Sequence, residues 1–465
     1  MKLPVISLLH TKNSDPLEDL RFQYGEFTLY KAGLPGFPRA FMRDGVISAL
    51  LASNHSMLNQ KIKFAASIQG TKQDPITGEQ PGAIFHEYDV QLKDGVGLLE
   101  SPGFTTKFNA SDTTALFLIA HEEYQKLTDD FNLSQNQKEN IKKAAEYILT
   151  HLDKDNIFFE DPKLSGAKKY ALKVTYWKDS ILLDRTNGEP VYPVVYPLVQ
   201  IQNLAGLRSA ARLLSSKILE KRAEKMKNST RLLFDKKLGN FPIAIDGNGK
   251  ISSVSSDGLE ALFYLDPEDL TPLMIKEIIN SSKVLETKLG YRVLDPQDAQ
   301  RVPNAYHART LWTHEQAIIH KAAVKHLEWA KKTNDKELID SLNHAKEVSF
   351  MITKYLFSKK GSFPELFHIE GEEMYPGRND PQLWAIAAYQ YFKLAQKSGN
   401  KSQIGNILGL MPVIQTRDIA KFYLTKVKVI WLVPKLKTGI KRAYNNLGKY
   451  TQIGRKNLNL RRYLR

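Results

Sequence analysis

The chain has 465 residues, 42% of them hydrophobic, and no cysteine, which excludes disulfides, thiolate metal sites and cysteine nucleophiles. The formal charge of +16 suggests a nucleic-acid partner until it is located: residues 411–465 hold 14 basic residues and one acidic residue. The rest of the chain is close to neutral, so the charge belongs to a basic C-terminal tail. Since we find neither a secretory signal nor a transmembrane run, we expect a cytoplasmic protein.

Helical periodicity dominates the chain before the tail and predicts twelve helices. They are Asp44–Asn54, Met57–Gln69, Asp112–Leu127, Asn136–Leu152, Tyr196–Leu214, Ile218–Phe234, Asp257–Leu265, Met274–Leu285, Glu315–Lys331, Lys336–Phe357, Pro381–Gln396 and Gln403–Leu410. Short extended segments interrupt them at Gly239–Ile245 and Gly290–Val293. The glycines of Asp246–Gly249 are typical of a turn between strands.

Twelve helices suggest six helical hairpins, which either close into a toroid or stack as an open superhelix. The alternate helices, beginning with the first, start at polar or aromatic clusters. If these helices form an inner ring, all six clusters meet at one rim. Single serine, threonine or aspartate residues at such positions also act as N-caps, but capping does not explain the accompanying aromatics and histidines. We therefore predict an all-α (α/α)6 barrel with short β insertions over residues 1–410, followed by the tail at 411–465.

Two acidic residues stand among aromatic or apolar neighbours, as the reacting groups of glycoside hydrolases often do. Such enzymes need one carboxylic acid and one carboxylate, and an apolar wall keeps the acid protonated. Asp179 follows Tyr176 and Trp177, and Glu365 lies in the apolar segment Phe363–Phe367. Lys178 would lower the pKa of Asp179 if it faced that carboxyl, so we expect it to point away. The simplest alternative for Glu365 is an incidental surface glutamate.

Three further segments carry candidate sugar-binding side chains. His307, Trp312, His314 and Glu315 fall within ten residues, and the histidine spacing matches no standard zinc motif, so a wall for sugar hydroxyls is the favoured interpretation. Arg43-Asp44 follows a Gly/Pro-rich loop and could clamp two hydroxyls, or could form an internal ion pair with Asp44 as a helix cap. His86-Glu87 and Ser111-Asp112 could extend the polar ring, or could be simple caps.

Read together, these segments resemble one family, the (α/α)6-barrel catalytic domains of glycogen-debranching amylo-α-1,6-glucosidases and of mannosylglycerate and glucosylglycerate hydrolases. The resemblance spans residues 32 to about 395. The matching stretches are Ala32–Ser48, Gln69–Glu87, Ser111–Leu116, Trp177–Ser180, Val199–Ala205, Tyr306–Glu315, Pro364–Phe367 and Pro381–Ala385. Their occurrence in this order makes the match fairly specific, although Ile181 stands where the family often has glycine.

The resemblance implies an inverting, exo-acting glycoside hydrolase without a cofactor or metal, releasing a terminal sugar such as glucose. It assigns the general acid to Asp179 and the general base to Glu365. Barrel motifs begin by residue 32, so we expect a compact α-glycoside or short oligosaccharide as substrate. The side chains that the resemblance and the clusters together place around the sugar are Arg43, Asp44, His86, Glu87, Asp112, Trp177, His307, Trp312, His314, Glu315 and Trp384.

Two other functions remain open at this level. An inverting phosphorylase could use the same barrel, but it needs an anion pocket where Glu365 supplies a base. A non-enzymatic protein could act through the basic tail, whose segment Phe422–Ile430 mixes lysines with apolar residues. Such a segment favours an anionic membrane surface or a protein partner over nucleic acid, for which no recognised motif is present.

Overall fold

The helices form two layers, and the inner layer closes into a ring. A computed structural model describes residues 16–89, 99–101 and 104–399. The predicted helix Gln403–Leu410 and the basic tail lie outside these residues. The helices are α1 Met42–Ala52, α2 His55–Ser67, α3 Thr113–Thr128, α4 Asn132–Asn136, α5 Lys138–Thr150, α6 Pro197–Leu213, α7 Lys217–Leu232, α8 Asp257–Tyr264, α9 Pro272–Ser281, α10 Ala305–Ala308, α11 Thr313–Thr333, α12 Lys336–Phe350, α13 Thr353–Ser358 and α14 Leu383–Gly399.

The inner ring consists of the six alternate helices expected from the sequence. Each packs against the next, in the order α1, α3, α6, α8, α11 and α14, and α14 packs back against α1. The outer helices α2, α5, α7, α9 and α12 lie against this ring. The predicted (α/α)6 barrel is therefore confirmed, and the alternative of an open superhelix is wrong.

Side-chain burial follows this division into layers. Ten of the eleven residues of α1 are buried, because an inner helix has neighbours on every side. Only five of the sixteen residues of α7 are buried, as expected for a helix with one apolar face and one solvated face. Among the described residues, no helix is long and apolar enough to cross a membrane.

Short antiparallel strands decorate the ends of the helices. They are β1 Arg21–Tyr24, β2 Phe27–Tyr30, β3 Ala40–Phe41, β4 Glu87–Tyr88, β5 Leu99–Ser101, β6 Phe104–Thr105, β7 Ala244–Asp246, β8 Gly249–Ile251, β9 Glu286–Thr287, β10 Gly290–Tyr291, β11 Thr310–Trp312, β12 Leu366–Glu370 and β13 Glu373–Pro376. The predicted turn Asp246–Gly249 joins β7 to β8. In the sheet β11-β12-β13, Trp312 pairs with Leu366, which brings the segment before α11 beside Glu365.

Three predicted segments differ in detail. The helix expected over Lys336–Phe357 divides at Met351, whose N–H bonds to Val348 O three residues back, a tightening that ends the α-helical ladder. The helix expected over Met274–Leu285 becomes a 3₁₀ turn after Ser281. Of the predicted extended segment Gly239–Ile245, only the end belongs to a strand, β7, and Gly239 has a φ of +64°.

Candidate active site

Polar and aromatic side chains at or near the starts of the inner helices contact one another around a complete circle, in two places through the loop residues Tyr176 and Lys178. Direct contacts join four neighbouring pairs of inner helices: Asp44 with Gln382 (α1 and α14), Trp384 with His314 (α14 and α11), Asn203 with Ser111 (α6 and α3), and Asp112 with Arg43 (α3 and α1). The other two pairs are joined through a loop residue. Lys178 connects Glu315 to Asp257 (α11 and α8), and Tyr176 connects Asp257 to Tyr196 (α8 and α6). The predicted convergence on one rim is thus observed.

Asp179 lies at this rim on a turn between α5 and α6. Its side chain is 39% exposed, and its Oδ1 lies 3.3 Å from Nδ1 of His307. The next residue, Ser180, places its Oγ 2.8 Å from the same nitrogen. Asp179 is the more solvent-accessible of the two predicted acids, so its carboxyl is available to an incoming ligand.

Lys178 points away from Asp179 into the protein, as expected. Its Nζ is fully buried and lies 2.5 Å from Asp257 Oδ1, 3.0 Å from Glu315 Oε1 and 2.8 Å from Ser256 Oγ. Burial works against the ammonium, but Asp257 and Glu315 outweigh it and raise the pKa of Lys178. The turn that carries Asp179 is therefore anchored to α8 and α11 by a buried charge.

Glu365 is buried, so its interpretation as an incidental surface glutamate is wrong. Its side chain follows Pro364, and its Oε2 accepts hydrogen bonds from Tyr306 Oη and Asn379 Nδ2, each 2.8 Å long. Among the described residues, no hydrogen-bond donor reaches Oε1. Burial raises the pKa of Glu365 to about 7, although the bonds from Asn379 and Tyr306 lower it. Such a carboxyl exchanges its proton near neutral pH, as acid–base catalysis requires.

Three tryptophans and two histidines form a continuous aromatic wall beside these acids. His307 stacks on Trp312 with ring centroids 4.9 Å apart, and His314 stacks on Trp384 at 3.8 Å. Trp177 meets both tryptophans edge to face. Burial, together with Lys178 and Arg43, lowers the pKa of His314 well below its usual value, so this imidazole is neutral. A wall with apolar faces and uncharged polar edges suits a sugar ring.

Arg43 does not pair with its neighbour Asp44. Its Nε and Nη2 instead donate to the two carboxylate oxygens of Asp112, at 2.8 and 2.9 Å. Asp112 begins α3 without a side-chain capping bond, and Asp44 lies inside α1, which Phe41 precedes. The capping interpretations of Asp44 and Asp112 are therefore wrong. A bidentate pair of this kind fixes both side chains.

The carboxyl group of Asp44, next to the Arg43–Asp112 pair, has a raised pKa. Burial raises its pKa to about 6, against the effect of Arg43 and Lys61. His86 directly precedes β4, which pairs with the strand β3 that leads into α1. Its Nδ1 lies 3.3 Å from the Thr106 carbonyl oxygen. Burial and the Arg43 charge lower the pKa of His86, so a neutral imidazole also stands at this side of the rim.

Among the predicted sugar-binding residues, Glu315 and Glu87 are also engaged inside the protein. Glu315 is completely buried and bonded to Lys178 and Ser256. Glu87 is 2% exposed, and its Oε2 lies 2.7 Å from Arg39 Nε. These two carboxylates shape the rim through their partners.

Sequence reasoning missed three residues that organise the site. Asn379 and Tyr306 hold Glu365, and Glu260 accepts a 2.8 Å hydrogen bond from Trp177 Nε1. Burial raises the pKa of Glu260 well above its usual range, and the nearby Glu315 and Asp257 act in the same direction. Tyr306 lies within a motif already described, but no local pattern marks Asn379 or Glu260; Glu260 is 83 residues from its partner Trp177 and Asn379 is 14 residues from Glu365.

Solved structures with the same fold include GH63 mannosylglycerate hydrolase from Thermus thermophilus. Its complex with Tris and D-glycerate aligns with a TM-score of 0.57 at 11% identity, over 81% of this chain and 98% of that chain. Its complex with glucose aligns with a TM-score of 0.55 at 12% identity, over the same fractions of the two chains. An uncharacterized conserved protein from the same organism aligns at 0.54 and 10% identity, over 78% and 95%.

At such low identity this likeness shows the fold alone. No family model matches the chain, and no curated protein matches it.

Proposed function

We propose that this chain is a glycoside hydrolase in which Asp179 and Glu365 are the reacting carboxyl groups. The observation that carries the proposal is that one rim holds an accessible carboxyl, a buried carboxyl with a pKa near 7 and an aromatic wall. Hydrolysis of a glycoside requires two carboxyl groups, and sugar rings stack on aromatic faces. The enzymes among the structural relatives, including one with bound glucose, support the same class of reaction.

Within this proposal, as the resemblance implies, Asp179 donates a proton to the leaving oxygen and Glu365 in its ionised form activates the attacking water. The apolar setting that favours a protonated carboxyl nevertheless surrounds Glu365 and not the exposed Asp179. Glu365 suits the second role because Oε2 is held by two donors while Oε1 is left for a water molecule. Attack from the face opposite the departing group inverts the anomeric configuration. His307 contacts Asp179 and orients its carboxyl, and the buried aromatic wall of Trp312 and Trp384 backs the site.

The substrate in this proposal is a compact α-glycoside, with a terminal glucose as the released sugar. Asp44 and the Arg43–Asp112 pair lie on one side of the rim and His86 lies beside them. Carboxylate and imidazole groups of this kind bind sugar hydroxyls by direct hydrogen bonds. A short aglycone, such as the D-glycerate bound by the related hydrolase, is a suitable first choice for the test.

A release assay on α-glucosides and α-mannosides tests the reaction class. We expect the purified chain to liberate the free sugar, with the β-anomer appearing first in the proton NMR spectrum. Each reaction should run with and without inorganic phosphate. A sugar phosphate formed only with phosphate would identify a phosphorylase, and release of the α-anomer first would contradict inversion.

The acidic limb of the pH–rate profile provides a second test. A general base acts only when ionised, so the active fraction of Glu365 falls as pH drops through its pKa of about 7. We expect kcat/KM to decrease about tenfold per pH unit below that point. Replacing Tyr306 by phenylalanine removes a donor that stabilises the carboxylate, which should move the limb to higher pH. An unchanged limb in Tyr306→Phe would exclude Glu365 as its source.

A further inference from the structure

The loop that precedes β3 meets the segment that precedes α14. We term residues 32–37 and 379–383 the closure segments. Their backbones are joined by hydrogen bonds from Leu34 N to Pro381 O, from Asp380 N to Leu34 O and from Leu383 N to Ala32 O, at 3.1, 3.0 and 2.8 Å. The Gly/Pro-rich loop thus lies against the segment that supplies Asn379 to the site, although it contributes no side chain to the proposed chemistry.

One additional bond between the closure segments determines how the Asn379 amide is turned. The N–H of Gly36 donates to Asn379 Oδ1 at 3.1 Å. Since that oxygen faces the Gly36 N–H, the NH₂ group faces Glu365 and donates to its Oε2 at 2.8 Å. The opposite orientation would put an amide oxygen against the Glu365 carboxylate and an NH₂ group against the Gly36 N–H. Both contacts would then be unfavourable.

The side-chain amide of Gln382, three residues later, is also oriented by a backbone N–H. Its Oε1 accepts from the backbone N–H of Trp384 at 2.8 Å, at the start of α14. Its Nε2 is therefore turned to donate to Asp44 Oδ1, at 3.3 Å. In each case a backbone N–H occupies the amide oxygen and directs the amide nitrogen to a carboxyl at the rim.

We propose that Asn379 is a positioning residue for Glu365, and that the backbone N–H of Gly36 imposes the orientation of its amide. This inference rests on the proposed function, in which Glu365 activates water. The Asn379 amide holds Oε2, which leaves Oε1 for that water. Donation of an N–H to a carboxylate also favours its ionised form, which opposes the effect of burial on Glu365.

Gly36 offers a way to disturb this amide without altering any side chain of the rim. A Cβ atom built on Gly36 would lie 2.6 Å from Asn379 Oδ1, so Gly36→Ala must displace the amide. The φ angle of Gly36 lies outside the left-handed region, and alanine is therefore compatible with its backbone. Gly247→Ala is a matched control: its added Cβ would lie 2.8 Å from Val191 Cγ1, at a surface turn.

The decisive measurement is the titration of Glu365 by carbon-13 NMR, alongside the pH dependence of kcat/KM. We expect Asn379→Ala and Gly36→Ala to raise both midpoints by roughly one pH unit. Gly36→Ala should add nothing in the Asn379→Ala background, because both act through one amide. Gly247→Ala should leave both midpoints unchanged.

The two readouts separate this inference from the function on which it rests. A wild-type Glu365 titration in Gly36→Ala, or additive shifts in the double variant, would overturn the proposed link. A shift of the NMR titration in a chain that hydrolyses no glycoside would support the link and reject the proposed function. A shifted titration with an unshifted rate profile would likewise support the link and remove Glu365 from the role of base.

Discussion

Replacing Asp179 by asparagine should lower kcat/KM for unactivated glycosides by about two to four orders of magnitude, the usual contribution of a general acid or base. An amide cannot donate the proton that the leaving oxygen requires. Asp179 is 39% exposed and contacts His307, so asparagine should fit its place and sugar binding should survive. Steady-state rates and calorimetric binding of the released sugar test the two expectations together.

The leaving group distinguishes the two carboxyl roles. The dinitrophenolate group of a dinitrophenyl glycoside leaves without being protonated. Asp179→Asn should therefore hydrolyse that substrate at close to the wild-type rate. Glu365→Gln should remain inactive on both substrates, because the water still lacks its base. The reverse pattern would exchange the roles of the two acids. Asp184→Asn is a suitable control, since its exposed carboxylate pairs only with the exposed Arg301 among the described residues and full activity is expected.

Replacing Lys178 by methionine should lower the free energy of unfolding by about 3–5 kcal/mol, as expected when a buried charge loses its partner. Lys178 is the ammonium that Asp257 and Glu315 share, and no part of its side chain is exposed. Without it two buried carboxylates face each other beside Glu260. Urea denaturation at neutral pH, followed by circular dichroism, measures this loss.

Two further variants locate the origin of that loss. Lys178→Met combined with Glu315→Gln should be more stable than Lys178→Met alone, because one stranded charge is removed. Lys250→Met breaks an exposed pair with Asp235 and should cost at most about 1 kcal/mol. Equal losses in Lys178→Met and Lys250→Met would contradict the assigned role of the buried ammonium.

The architecture was predictable because it depends on a repeated, local signal. The hydrophobic residues of inner and outer helices both recur with the period of an α-helix. The number of predicted helices then gives the number of helical hairpins in the barrel. Helix ends were less predictable. Met351 interrupts one helix through a backbone bond to Val348, and neither residue type indicates a break. The division between barrel and tail at residue 410 stays a prediction, as do the membrane or protein partner of the tail and the cytoplasmic location.

The site was predictable only in part, and not from local composition. Neither Asp179 nor Glu365 stands out by its local sequence alone; the family resemblance and the six ordered clusters single them out, and their roles stay predictions. Their partners could not be predicted, since each partner comes from a different segment of the chain. Arg43 bonds to Asp112, 69 residues away, where the sequence suggested adjacent Asp44. Asn379 has no distinguishing neighbour at all, and its role depends on a backbone N–H that no side-chain pattern reveals.

The closure segments also constrain when the rim can be completed during synthesis. Gly36 and Asn379 are 343 residues apart, and Asp44 and Gln382 are 338 apart. A nascent chain on the ribosome carries Asp179 long before it carries Glu365 and the amide that holds it. Long-range contacts of this kind form late and slowly. A truncated or partly made chain therefore exposes half of a rim and no paired acids, so that only the finished ring holds the complete site.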